Sequence, residues 1–221
     1  MAEDESKDGA SLEALVERLK GSRRRGRQEA AHEIAVLAKA DPQSLVTYAD
    51  DLVDALDRPE AQTRWEMLDA LTSVTSVDAS VVAAGFDGAE ASLFDDGSAI
   101  VRLAAFKFLS CYGATSERAS DAVWPLLDEA VQCYHGDPEY HDMLVSMLEF
   151  ARGSLSEKSR DALAARVAFD AESGRGGRTG AVGLSSGLCA SRPEGKAPFS
   201  RCVEICSLGC QARGSCRGQT K

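Results

Sequence analysis

The sequence predicts an all-α chain: an alpha-solenoid of about four helix pairs with a disordered C-terminal tail. Three observations carry this. Apolar residues recur at i, i+3, i+4 and i+7 from Leu12 to Val167. No segment alternates with period two, so no sheet is expected. Markers within the helix pairs return every 37 to 39 residues, the signature of stacked repeats.

The elements follow in order. Leu12, Leu15, Val16 and Leu19 form one helical face, and Leu45, Val46, Ala49, Leu52, Val53 and Leu56 form another over three turns. Met67, Leu68, Leu71 and Val74 come next, followed by Val82, Phe86, Ala89 and Leu93. This helix over 81–94 is the weakest, because Gly85 and Gly88 each cost up to ~1 kcal/mol relative to Ala. Val101, Ala105, Phe108 and Tyr112 continue the pattern, then Val123, Leu127, Ala130 and Tyr134. Met143, Leu144, Met147, Leu148 and Ala151 make the last clear stripe, with a shorter one at Leu163 and Val167. Asp41-Pro42 and Asp137-Pro138 each set a capping acceptor before a proline suited to the first helical position. Ser98 and Ser156 are further capping candidates.

The repeat is visible residue by residue. Leu19, Leu56 and Leu93 lie 37 apart; Arg27 to Arg64 is 37, Arg64 to Arg102 is 38, and His141 follows 39 later. Around these markers an apolar helix, a polar turn, Arg, small residues and a second apolar helix recur. One such pair cannot bury its own apolar face, so neighbours must stack. Leu52-Val53-Asp54-Ala55-Leu56-Asp57-Arg58-Pro59 leads to Arg64, and Phe94-Asp95-Asp96-Gly97-Ser98 leads to Val101-Arg102-Leu103-Ala104-Ala105. Leu15 to Lys20 leads to Arg27-Gln28-Glu29-Ala30-Ala31, and Trp124-Pro125-Leu126-Leu127 belongs to a proline-bearing first helix. Over roughly residues 11–170 this text resembles the HEAT-repeat family. The fourth unit departs in having His141 at the arginine position, and a fifth begins at Ser156 but stops after one helix.

Helical geometry places Arg27, Arg64 and Arg102 on the inward side, because apolar residues at +3/+4, +7 and +10/+11 average to nearly the same direction. A buried guanidinium needs a partner. The resemblance implies an acidic residue of a neighbouring turn, for which Asp57 and Asp95 or Asp96 are the candidates. Positions +2, +5 and +9 point about 140–160° away from the apolar stripe. They read Glu29, His32, Val36; Glu66, Asp69, Ser73; Ala104, Lys107, Cys111; and Met143, Ser146, Phe150. In a HEAT-like stack these rows would line the concave face, acidic at the N-terminal end and apolar at the other, with Met143 and Phe150 either an exposed docking patch or covered by the fifth helix or the tail.

Charge divides the chain. The segment from Gly174 to Lys221 carries eight Lys/Arg against two Glu, 10 of the 19 glycines and five of the seven cysteines. Residues 1–173 hold 17 basic and 33 acidic residues, about −16, within a total of −10. We therefore expect an acidic, disordered stretch over 1–10, a repeat domain over 11–170, and a low-complexity tail over 171–221. Cys202, Cys206, Cys210 and Cys216 lack the tight Cys-x2-Cys knuckles of zinc sites, so a disordered or frame-shifted terminus is favoured over a metal site. Cys133, His135 and His141 match no zinc spacing either. Asp87-Gly88 and Asp95-Asp96-Gly97 lack the acceptors of a calcium loop.

No nucleophile elbow, phosphate loop or dinucleotide fingerprint occurs in the repeat region, so no enzyme, cofactor or metal is expected. There is neither a long apolar run nor a signal-peptide start, which predicts a cytoplasmic protein without a membrane partner. The expected partner is a protein or peptide, with a basic segment to match the acidic surface. The alternative implied by the resemblance is an enzyme accessory module similar to the HEAT-like subunits of phycobilin lyases. Arg23-Arg24-Arg25-Gly26-Arg27 could contact phosphates, but the acidic body disfavours nucleic acid. HEAT-like DNA glycosylases use a basic, aromatic-bearing concave face, whereas the concave face expected here is acidic and has only Trp65 near it.

Overall fold

A computed structural model describes residues 11–176, with side chains to residue 170. Among the described residues the chain is all-helical, with nine α-helices and no strand. These are α1 (Leu12–Lys20), α2 (Arg24–Ala40), α3 (Ala49–Asp54), α4 (Ala61–Thr75) and α5 (Phe86–Leu93). They continue with α6 (Ala99–Gly113), α7 (Glu117–Cys133), α8 (Tyr140–Ala151) and α9 (Glu157–Gly176). The expected N-terminal stretch 1–10 and the tail beyond 176, with all five of its cysteines, lie outside the described residues. The helix α9 itself runs six residues past the expected boundary at 170.

Serines start four of the helices. Ser98 Oγ accepts from the Val101 amide at 3.4 Å and Ser156 Oγ from that of Ser159 at 3.0 Å, as the sequence suggests. Ser11 and Ser116 do the same for α1 and α7. The two Asp-Pro starts behave otherwise. Asp41 makes no side-chain cap, and Pro42 opens a 3-10 stretch, Pro42–Tyr48. The expected three-turn helix over 45–56 is thus broken into that stretch, α3 and a second 3-10 turn, Ala55–Asp57. Leu45, Ala49, Leu52 and Leu56 are buried all the same, because spacings of three and four residues keep one face under either winding. Asp137-Pro138 sits in a turn made with Gly136 at φ +91°, and α8 begins only at Tyr140.

The helix expected over 81–94 shortens to α5, after a turn at Ala83–Gly85. Its glycines serve close approach: a Cβ on Gly88 would stand 3.0 Å from the Leu56 side chain. Pro125 lies inside α7, where it removes one backbone donor.

Packing runs along the chain. The helix α2 packs on α4, α4 on α6, and α6 on α8, while α1 packs on α2, α5 on α6, and α7 on α6, α8 and α9. One continuous apolar core threads these contacts from Leu15 to Leu163. Phe106, Phe108 and Phe150 are its largest fully buried side chains.

Candidate functional site

The site is best built from the start of each even-numbered helix. Arg27, Arg64 and Arg102 are the fourth residues of α2, α4 and α6. Each guanidinium reaches a carboxylate held just before the next even-numbered helix. Arg27 Nη2 donates to Glu60, whose side chain is 5% exposed and which immediately precedes α4. Arg64 Nη2 lies 2.5 Å from Asp95 Oδ2 in the turn before α6. Arg102 donates to Glu139, the residue preceding α8, through Nε at 2.9 Å and through Nη2.

Backbone and ring contacts complete the geometry. Arg27 also donates to the Gly21 carbonyl and Arg102 to that of Asp95, each at 2.9 Å. Arg102 stacks over the Tyr134 ring at 4.6 Å. Asp95 is held for its role by the Gly97 amide, which donates to Oδ1 at 2.7 Å. The hydrogen bond from Arg27 holds the Glu60 carboxyl below the ordinary carboxylate value of 4.5.

Asp57 does not take the expected role. It is exposed at the end of its 3-10 turn, and Glu60, three residues on, pairs with Arg27 in its place. Asp96 is exposed as well, leaving Asp95 as the partner of Arg64. His141 also departs from expectation: it is exposed, and the fourth residue of α8 is the buried Met143.

That two-residue offset moves the whole register of α8. Met143, Ser146 and Phe150, expected on the open face, are at most 8% exposed; Met143 and Phe150 are in the core. Counting from Met143, positions +2 and +5 become Val145 and Leu148, which are 47% and 58% exposed. Asp142, Glu149 and Arg152 are exposed around them. An apolar row does emerge on the open side of α8, made of different residues.

Chain similarity adds nothing to this geometry. The chain matches no protein-family model and no curated protein.

On the earlier helices Glu29, His32 and Lys107 are exposed and Asp69 half-buried, whereas Glu66 is buried. Glu66 Oε1 lies 3.1 Å from His32 Nδ1 and accepts from Gln62 Nε2 at 3.5 Å, which ties α4 to α2. Its Oε2 is buried with no hydrogen-bond partner among the described residues. Burial raises the Glu66 carboxyl above 4.5, outweighing the hydrogen bonds from His32 and Gln62.

The acids of this face are largely engaged. Glu29 meets Arg18 and Arg25, Glu33 meets Arg18 at 3.6 Å, and Lys39 stands 3.8 Å from Asp69. Exposed pairs of this kind add little stability. They do lower the free negative charge at the N-terminal end.

The raised Glu66 gives a pH prediction. A carboxyl whose folded pKa exceeds its unfolded value stabilises the fold at low pH, and that contribution is lost as pH rises through the folded pKa. Glu66→Gln removes the ionisation. The variant is expected to gain stability relative to the parent as pH rises from about 4 to about 7, measured by urea unfolding at each pH. A parent-to-variant difference that stays constant over that range would contradict it.

No helix among the described residues is long and apolar enough to cross a membrane.

Proposed function

We propose that this protein is a non-enzymatic, cytoplasmic protein-interaction module, built as a HEAT-like alpha-solenoid whose even-numbered helices form the binding face. The observation that carries the reading is the apolar row of Val145 and Leu148 on α8, bordered by Asp142 and Glu149. Contiguous exposed apolar side chains rimmed by charge are the usual mark of a docking surface. The successive packing of α2, α4, α6 and α8, with an arginine-carboxylate pair at three of the junctions or turns between them, supports the repeat reading.

The partner this surface fits is a peptide or helix with apolar anchors and a basic flank. The anchors would lie on Val145 and Leu148, and the basic residues would face Asp142 and Glu149. His32, Asp69 and Lys107 extend the face toward the N-terminal units and give it mixed charge.

Affinity capture with mass spectrometry tests this reading. Full-length protein and its Val145→Asp/Leu148→Asp variant are compared, with a melt to show that both fold. The variant is expected to lose at least one abundant protein retained by the parent, since truncating an anchor typically costs more than ~1 kcal/mol of binding. Identical retention by both proteins would remove this face from the proposal.

A further inference from the structure

The arginine cluster that opens α2 has no part in the interaction face of α8. We propose that the cleft where α1 meets α2 binds a small phosphorylated molecule through Arg18, Arg23 and Arg25, in place of the Glu29 carboxylate. The cleft has a volume of about 520 Å³ and is lined by these three arginines together with Ser22, Gly26 and Glu29. That volume lies within the ~300–1,000 Å³ common for small-molecule sites.

The arrangement already holds an anion. Arg25 Nε donates to Glu29 Oε1 at 2.7 Å, and Arg18 Nη2 donates to Glu29 Oε2 at 3.2 Å. Guanidiniums from two different helices therefore converge on one carboxylate, which marks where an external anion would sit. The hydrogen bond from Arg25 holds Glu29 below the ordinary carboxylate value, as expected of a carboxylate serving as the counter-ion.

Several features favour phosphate over Glu29. A planar guanidinium presents paired donors that match phosphate oxygens, and a phosphate group brings more charge than one carboxylate. Arg25 is 92% exposed, so its remaining donors are open to solvent. No side chain caps the first turn of α2, where Arg23 holds the capping position and no acidic residue follows. That turn adds its positive end to the field of the guanidiniums. A Cβ built on Gly26 would meet only Arg23 Cβ, at 3.9 Å, so the backbone there stays open to approach.

The ligand is small because the basic patch is small. Glu33 pairs with Arg18 at its edge, and the −16 charge of residues 1–173 repels an extended polyanion.

Calorimetric titration of the full chain with inorganic pyrophosphate, at low salt, tests the site. Saturable binding is expected. Arg23→Ala/Arg25→Ala should weaken it about tenfold or more, the loss typical of removing charge-assisted hydrogen bonds. Glu29→Gln should strengthen it several-fold by removing the internal competitor, a response that general weakening of the fold does not produce. Three results would overturn the proposal: no saturable binding at millimolar pyrophosphate, equal affinity in the double arginine variant, or weaker binding by Glu29→Gln. A single-stranded oligonucleotide retained with steep salt dependence, while pyrophosphate is not, would assign the arginines to nucleic acid and also overturn it.

Discussion

Phe150→Ala is expected to lower the unfolding free energy by about 3–5 kcal/mol, the usual range for removing a fully buried aromatic ring. Phe150 has no exposed surface, lies parallel to the Trp124 ring with centroids 6.2 Å apart, and presses on Gly113. A Cβ on Gly113 would come within 2.8 Å of the Phe150 ring, so the fit is close and a void there would not easily collapse. Leu148→Ala provides the contrast. At 58% exposure it should stay within about 0.5 kcal/mol of the parent. Denaturant midpoints for the two variants, at unchanged slope, measure this directly. The reverse order of effects would mean that α8 is rotated from the orientation described.

The second large effect is at Arg102. Arg102→Ala is expected to cost about 3–5 kcal/mol, because it leaves a buried carboxylate without its partner. Glu139 is 4% exposed in its side chain, and Arg102 supplies two of its guanidinium nitrogens to the same Oε1. The substitution also removes the donor to the Asp95 carbonyl and the cation stacked on Tyr134. Replacing both partners with apolar residues, as in Arg102→Met/Glu139→Leu, should cost less than Arg102→Ala alone. A double-mutant cycle separates the pair from the packing. A loss under about 1 kcal/mol for Arg102→Ala would show that the pair is not the junction it looks like.

Much of this was readable from spacing. The arginines at 27, 64 and 102 occupy the same place in three successive even-numbered helices, and helical arithmetic alone turns them inward. Their partners were harder to see. Glu60 and Glu139 lie 33 and 37 residues downstream, and each pairs through the packing of helices that no local pattern reports. A signal did exist: an acidic residue stands directly before α4 and before α8, and another lies in the turn before α6.

The misplacement of Met143 and Phe150 has a different origin. The helix α8 carries Met143, Leu144, Val145, Met147, Leu148 and Phe150, an apolar arc wider than half its circumference, so the pattern alone does not say which edge of that arc faces the core. Counting from His141 then fixes the orientation, but the turn through Gly136 to Glu139 starts the helix at Tyr140, so His141 is its second residue and not its fourth. Likewise, spacing of three to four residues could not tell the 3-10 stretch at Pro42–Tyr48 from an α-helix. The buried Glu66 was missed because helix α4 turns that position toward α2, where His32 and Gln62 meet it.

The arginine-carboxylate pairs also set an order of events on the ribosome. Arg27 is synthesised 33 residues before Glu60, and Arg102 37 residues before Glu139. At about 5–20 residues per second, each guanidinium waits roughly 2–7 s for its carboxylate to be made. The junction at each helix pair is therefore closed only by the next one to emerge. At the C-terminal end the polarity reverses: Asp128 is made first and Arg166 of α9 arrives 38 residues later to pair with it. Thus α9 is the last helix of the described region to emerge, and it brings a cation to a waiting acid.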